Sequence, residues 1–378
     1  MRRRIKNFKE ENLEAYLPAK ERTKELKEKR REFVNALYNA SKNGDDETVR
    51  KLVGLLDNEE SDNYKLQQTM IADENGSTPL IWASFENHIK VVAELLKINS
   101  YIDAKNKDET GGYTALMIAS AYGRVEIAKM LLDNHANVNI KDAEGATAII
   151  LASMRGHFNI VKLLLENGAN INDKDNDGNT AILWACMKGH FNIVELLLEN
   201  GANIDDEDND GDTAIIWACI KGHFNIVELL LENGANINVK DNDGDTAILW
   251  ACKKGYFNIV ELLLNNGADF TISENSGETP FMHACSNGHL NIVQLLLSRI
   301  HPKKREAFIN ITDNAGHSAL YWACTNGHEN VVSFLLANGA TDKCDELLNS
   351  PVHEGGKTRK LKKNRARKFR TTLRRRPT

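Results

Sequence analysis

Carboxylates, thiols, imidazoles and indoles recur in this sequence at spacings that suggest chemistry. Asp173, Asp175 and Asp177-Gly178, and again Asp206, Asp208 and Asp210-Gly211, follow the D-x-D-x-D-G opening of a calcium loop. That loop closes on a bidentate Glu at its twelfth position. Trp184 and Trp217 stand there instead, so the two stretches read as acidic turn tips without a closing ligand. Cys186, Cys219, Cys252, Cys285 and Cys324 come one per repeat, in a column that Ser84, Ser120 and Ser153 begin. A zinc ion needs its thiolates clustered at about 2.3 Å from one centre, so this column reads as a small buried residue. His157, His190, His223, His289 and His328 each follow a glycine, and no H-E-x-x-H pair occurs. Trp82, Trp184, Trp217, Trp250 and Trp322 form a further column, for which packing between repeats is favoured over a ligand-binding ladder. No Ser-His-Asp set, phosphate loop or G-x-G-x-x-G is found in a suitable context. The expectation is a chain that is not an enzyme, with no metal, cofactor or small-molecule substrate.

These columns exist because the elements that carry them repeat. Gly112, Gly145, Gly178, Gly211, Gly244 and Gly277 are each 33 residues apart, and each opens G-x-T-(A/P)-(L/I/F)-x-x-A. Gly76 precedes the series by 36 and Gly316 follows by 39, which places insertions near Asn106 and within 301–308. Residues 175–207 and 208–240 agree at 27 of 33 positions. In the unit 208–240, Asp208-Asn209-Asp210-Gly211 predicts a turn whose glycine takes positive φ. Thr213 is expected to cap a helix over Ala214–Ile220 through its hydroxyl, and Gly222 to end it. A second helix is predicted over about 224–232, with Ile226, Val227, Leu229, Leu230 and Leu231 as its apolar side and Asn233-Gly234 as its stop. Helices of about nine residues are marginal alone, so each unit must bury its apolar face on its neighbours.

The period and the motif resemble the ankyrin repeat, whose 33-residue unit carries a T-P-L-H-x-A signature. The similarity covers residues 73–344 in eight units, with 33–72 as a degenerate N-terminal capping repeat and linker. Thr-Pro is kept at Thr78-Pro79 and Thr279-Pro280, while alanine takes the proline position elsewhere. The signature histidine is replaced by Ile81, Met117, Ile150, Leu183, Ile216, Leu249, Met282 and Tyr321. The resemblance implies an all-α class, a helical solenoid with short β-hairpin fingers. It also implies a protein-binding scaffold whose partners meet the hairpin tips and the ends of the first helices. Mapped onto this sequence, those tips are Asn176-Asp177 with Asn179, Asn209-Asp210 with Asp212, and Asn242-Asp243 with Asp245, an expected acidic strip. The helix ends are Met154-Arg155, Met187-Lys188, Ile220-Lys221 and Lys253-Lys254.

Hydrophobic residues at 42% and charged residues at 27% are those of a folded globular chain. No apolar run approaches the roughly 20 residues that span a bilayer. Met1–Lys6 is basic but is followed by mixed charge, so no secretory signal is expected. The net charge of −5 conceals a segregation: 1–32 carries 12 Lys/Arg against 7 Asp/Glu, and 355–378 carries 12 Lys/Arg and no acid. The remainder therefore holds 24 basic and 46 acidic residues, a net of −22. Residues 1–32 are expected to be a charged, helical N-terminal segment, with a helix over Ala19–Tyr38 leading into the cap and Leu26, Phe33, Val34 and Leu37 as its apolar side. Residues 345–378 are expected to be a disordered tail. Its cations are Lys357, Arg359, Lys360, Lys362, Lys363, Arg365, Arg367, Lys368, Arg370, Arg374, Arg375 and Arg376. Such a cluster suits nuclear import, nucleic-acid phosphates, anionic membrane or docking on the acidic body. The leading expectation is a monomeric cytoplasmic adaptor for protein partners. The alternative is a nuclear or nucleic-acid-associated regulator that acts through the tail.

Overall fold

The computed structural model describes residues 19–56, 72, 76–98, 101–107, 111–342, 353–354 and 357–358. The chain divides into two compact units, Met1–Asn176 and Asp177–Thr378, each a stack of antiparallel helix pairs.

The first unit opens with α1 (Ala19–Asn43) and α2 (Asp46–Leu56). Helix α1 runs unbroken across residue 32, and Phe33, Leu37 and Ala40 on it bury alongside Val49, Leu52 and Val53 of α2. This pair lies where the degenerate cap is expected. Three regular pairs follow: α3 (Pro79–Phe85) with α4 (Ile89–Leu96), α5 (Ala115–Ala121) with α6 (Val125–Asp133), and α7 (Ala148–Arg155) with α8 (Phe158–Glu166).

Among its described residues the second unit carries five pairs: α9 (Ala181–Lys188) and α10 (Phe191–Glu199), α11 (Ala214–Lys221) and α12 (Phe224–Glu232), α13 (Ala247–Lys254) and α14 (Phe257–Asn265), α15 (Pro280–Ser286) and α16 (Leu290–Ser298), and α18 (Ala319–Asn326) with α19 (Glu329–Ala337). The six-residue insertion builds a 3-10 turn, Pro302–Lys304, and a short α17 (Arg305–Ile309) that buries Phe308 and Ile309. Both helices expected in the unit 208–240 are present, the first one residue longer than expected.

Each first helix is buried almost throughout. Ala214, Ile215, Ile216, Ala218 and Cys219 of α11 are enclosed, whereas α12 buries the stripe Ile226, Val227 and Leu230 and leaves Leu229 and Leu231 partly exposed. Cys186, Cys219, Cys252 and Cys285 are free and fully buried, as small packing residues. Burial pushes their thiols far up from the usual range. Cys324 is buried too but is disulfide-bonded, so the uniform reading of five thiols holds for four. The cap expected at Thr213 is absent. Its hydroxyl and that of Thr147 make no bond to the helix, whereas Thr180, Thr246, Thr279 and Ser318 accept the amide three residues on.

Among the described residues of the repeats the finger tips are turns without extended strands, with an isolated antiparallel bridge between Thr312 and Ser318. Asp208 and Asp241 each fold their own turn, the Oδ1 of each accepting two amides at 2.8–3.0 Å. Successive turns are tied by a backbone bond, such as Asn242 N to Asp210 O at 3.0 Å, and by an amide side chain, such as Asn242 Nδ2 to Asn209 O at 3.0 Å. Beyond the repeats, the two-residue strands β1 (His353–Glu354) and β2 (Lys357–Thr358) pair antiparallel. The other cations of the basic tail, from Arg359 to Arg376, lie outside the described residues, as do residues 1–18. Among the described residues no helix is long and apolar enough to cross a membrane.

Candidate functional site

The residues expected at the helix ends are displayed. Met154 is half-buried and Arg155 exposed at the end of α7 in the first unit. In the second unit Met187, Ile220 and Lys253 are half-buried, and Lys188, Lys221 and Lys254 are exposed. At the turn tips Asp177, Asp210 and Asp243 are exposed as expected.

Three residues assigned to that acidic strip are not on it. Asn179, Asp212 and Asp245 are buried, with 7%, 9% and 3% exposure. The left-handed glycine before each turns its side chain inward, where the Oδ1 of Asp212 and that of Asp245 find no hydrogen bond. Burial and the surrounding carboxylates Asp208, Asp241, Asp210 and Asp243 push Asp212 up to about 7. Burial and a hydrogen bond with Glu274 push Asp245 up to about 8.

The tryptophans also depart from the packing expectation. All five are only half-buried, and in the second unit four of the candidate lysines lie over them. The Nζ of Lys188 sits 5.4 Å from the Trp184 ring, Lys221 5.1 Å from Trp217, and Lys253 and Lys254 4.4 and 5.5 Å from Trp250. Trp at one helix position and Lys one turn on make this automatic, because residues i and i+4 share a face. The indole Nε1 donates to the carboxylate that opens the same unit: Trp217 to Asp208 at 2.8 Å, Trp250 to Asp241 at 3.5 Å and Trp322 to Asp313 at 3.2 Å. The rungs of Trp217 and Trp250 thus join a carboxylate, an indole held in place by it, and a cation above the ring. At a surface such a cation–ring contact contributes about 0.5–1 kcal/mol, a modest bias of the lysine toward the ring that leaves its ammonium exposed to a partner charge.

The sequence reading missed an aromatic counterpart in the first unit. Tyr38, Trp82, Phe85 and Tyr122 meet edge to face in series, with centroids 6.2, 5.8 and 4.9 Å apart, and Lys42 lies 4.1 Å over Trp82. Tyr122 is 49% exposed. The signal was present: Phe85 and Tyr122 fall in the columns of Met187 and Lys188, where rings take the place of the apolar residue and the cation. Two histidines of the column, and His88 at the same position of an earlier unit, link adjacent repeats. His88 and His157 set Nε2 3.1 Å from the carbonyls of Lys42 and Ala121, and His328 sets its own 2.8 Å from that of Ser286.

A family model described as "Ankyrin repeats (3 copies)" matches residues 37–142, 134–208, 204–274 and 271–346. The chain is 37% identical over 78 residues to "E3 ubiquitin-protein ligase MIB2" of Gallus gallus, a match of 21% of this chain and 8% of that protein. It is 41% identical over 58 residues to "Ankyrin repeat domain-containing protein 49" of Drosophila melanogaster, covering 15% of this chain and 26% of that one. The matched stretches span about a quarter or less of these relatives, so the first protein's ligase activity is not carried across. The repeat is a protein–protein interaction module and typically non-catalytic, and with family models covering most of the chain, the protein belongs to the ankyrin-repeat family.

Proposed function

We propose that this protein is a non-catalytic adaptor that binds partner proteins on the first-helix ends and turn tips. The observation that carries this reading is the set of rungs on α9, α11 and α13. There Trp184, Trp217 and Trp250 lie half-exposed beneath Lys188, Lys221, Lys253 and Lys254, beside the exposed Asp177, Asp210 and Asp243. Rigid aromatic surface with a charge at its rim is the composition of interface hot spots. Met187 and Ile220 add apolar area between rungs, and Met154 with Arg155 offers the same pair of residue types in the first unit. The partner face that fits is apolar with carboxylates at its edge. Affinity for a partner recovered by pull-down should fall about tenfold or more in the Lys188→Glu/Lys221→Glu/Lys254→Glu variant. Unchanged affinity would remove the assignment.

The basic tail supports a second reading, phosphate binding by a nuclear or nucleic-acid-associated regulator, through its 12 cations against no acid over 355–378. Salt separates the two. Phosphate binding by several cations loses about 10³ or more in affinity between 50 and 200 mM salt, and a surface anchored on indoles loses far less.

A further inference from the structure

We propose that Glu274, Glu278 and His283 form a binding site for a divalent transition-metal ion, with Zn²⁺ as its occupant. In the two preceding repeats the corresponding residues are Asp208, Asp212 and Trp217, then Asp241, Asp245 and Trp250. The unit that begins at Glu274 replaces both aspartates by the longer glutamate and the indole by an imidazole. All three changes meet at one point. His283 Nε2 lies 3.5 Å from Glu274 Oε1 and 3.6 Å from Glu278 Oε2, and one ligand atom from each residue falls within 4.8 Å of the others. A tetrahedral ion with bonds of about 2.0–2.2 Å spaces its ligand atoms by about 3.3–3.6 Å. Two of the three spacings already have that length.

The imidazole supplies an independent sign of a missing ligand. His283 is 7% exposed, and its Nε2, aimed between the two carboxylates, stands at ion-pair distance from both without a well-formed hydrogen bond to either. In the flanking repeats the indole N–H at this position donates to the opening aspartate, at 3.5 Å from Trp250 and 3.2 Å from Trp322. A buried polar nitrogen left unpaired costs about 1–3 kcal/mol. The charge around it also favours a cation, because the carboxyl groups of Asp245 and Asp313 lie close enough to act on Glu274 and Glu278. Lys253 is the cation that already acts on this cluster. One imidazole nitrogen with two carboxylate oxygens is a donor set for zinc, leaving a position for water, whereas Mg²⁺ and Ca²⁺ prefer oxygen alone.

The test uses the full-length protein stripped with a chelator and titrated with ZnCl₂, MgCl₂ or CaCl₂ by calorimetry, with melting followed in parallel. The expected result is saturable uptake of one Zn²⁺ per chain and a raised Tm, with no comparable response to Mg²⁺ or Ca²⁺. Glu278→Gln, nearly isosteric, and His283→Trp, the residue of the flanking repeats, should each weaken zinc affinity by about tenfold or more. Circular dichroism in chelator should leave both variants as helical as the parent. Absence of saturable zinc binding, or binding undiminished in both folded variants, would overturn the site.

Discussion

Asp212 and Asp245 show how one backbone conformation decides the fate of a carboxylate. Each follows a left-handed glycine and turns inward, and burial among other acids pushes them up to about 7 and about 8. In the unfolded chain both titrate near 4. Between about pH 4 and 8 the folded protein therefore holds more protons than the unfolded one, so stability falls as pH rises through that window. The Tm in chelator should be lower at pH 8 than at pH 5. The Asp212→Asn/Asp245→Asn variant, which copies Asn179 of the repeat before, should flatten that dependence and melt higher at pH 8. A tenfold change in proton affinity is worth about 1.4 kcal/mol, so each carboxyl accounts for a few kcal/mol of the fall at most. A parent slope that survives both substitutions would show that other groups set it. From the sequence these aspartates looked like their exposed neighbours, because D-N-D-G-D does not reveal which side chain the turn folds under.

At the scale of the helix pair, nearly everything about the fold could be read in advance, because near-identical units tie each element to glycine and threonine markers. The limits of α11 and α12 fell within one residue of expectation. What escaped was fine geometry: Thr213 occupies a cap position yet makes no cap bond, while Thr246 accepts the Leu249 amide at 3.4 Å. Loss of a working cap costs about 1 kcal/mol, so Thr246→Ala should destabilise by about that amount in urea unfolding and by more than Thr213→Ala does. Equal losses would mean that burial of the methyl group dominates. Glycines at the two helix stops make a similar contrast. Gly255 and Gly267 have the similar φ of +82° and +86°, but a Cβ at Gly255 would come within 2.5 Å of the His289 ring, and one at Gly267 would meet nothing within 4 Å. Gly267→Ala should cost about 1 kcal/mol from backbone strain alone, and Gly255→Ala clearly more. The additional cost should shrink when His289→Ala is combined with it, and its persistence there would place the cost elsewhere.

For the molecule as a whole, the sequence identified an array of two-helix repeats with a basic extension and named the columns at the turn tips and first-helix ends. It did not show how those columns interact, because a period of 33 residues aligns positions without giving their depth. Half-buried indoles beneath lysines, and a buried imidazole set between two glutamates, emerge only when side chains are placed. The central claim is that partners are held by the tryptophan–lysine rungs of the second unit, and it is tested most directly with one partner protein and three forms of this chain at physiological salt. Those forms are the full-length protein, the truncation 1–354, and the Lys188→Glu/Lys221→Glu/Lys254→Glu variant. The account predicts about a tenfold or greater rise in Kd for the triple variant and less than about a threefold change for the truncation, since hot-spot surface and not distant charge sets the affinity. A triple variant that binds as the parent does, or a truncation that abolishes binding, would contradict it.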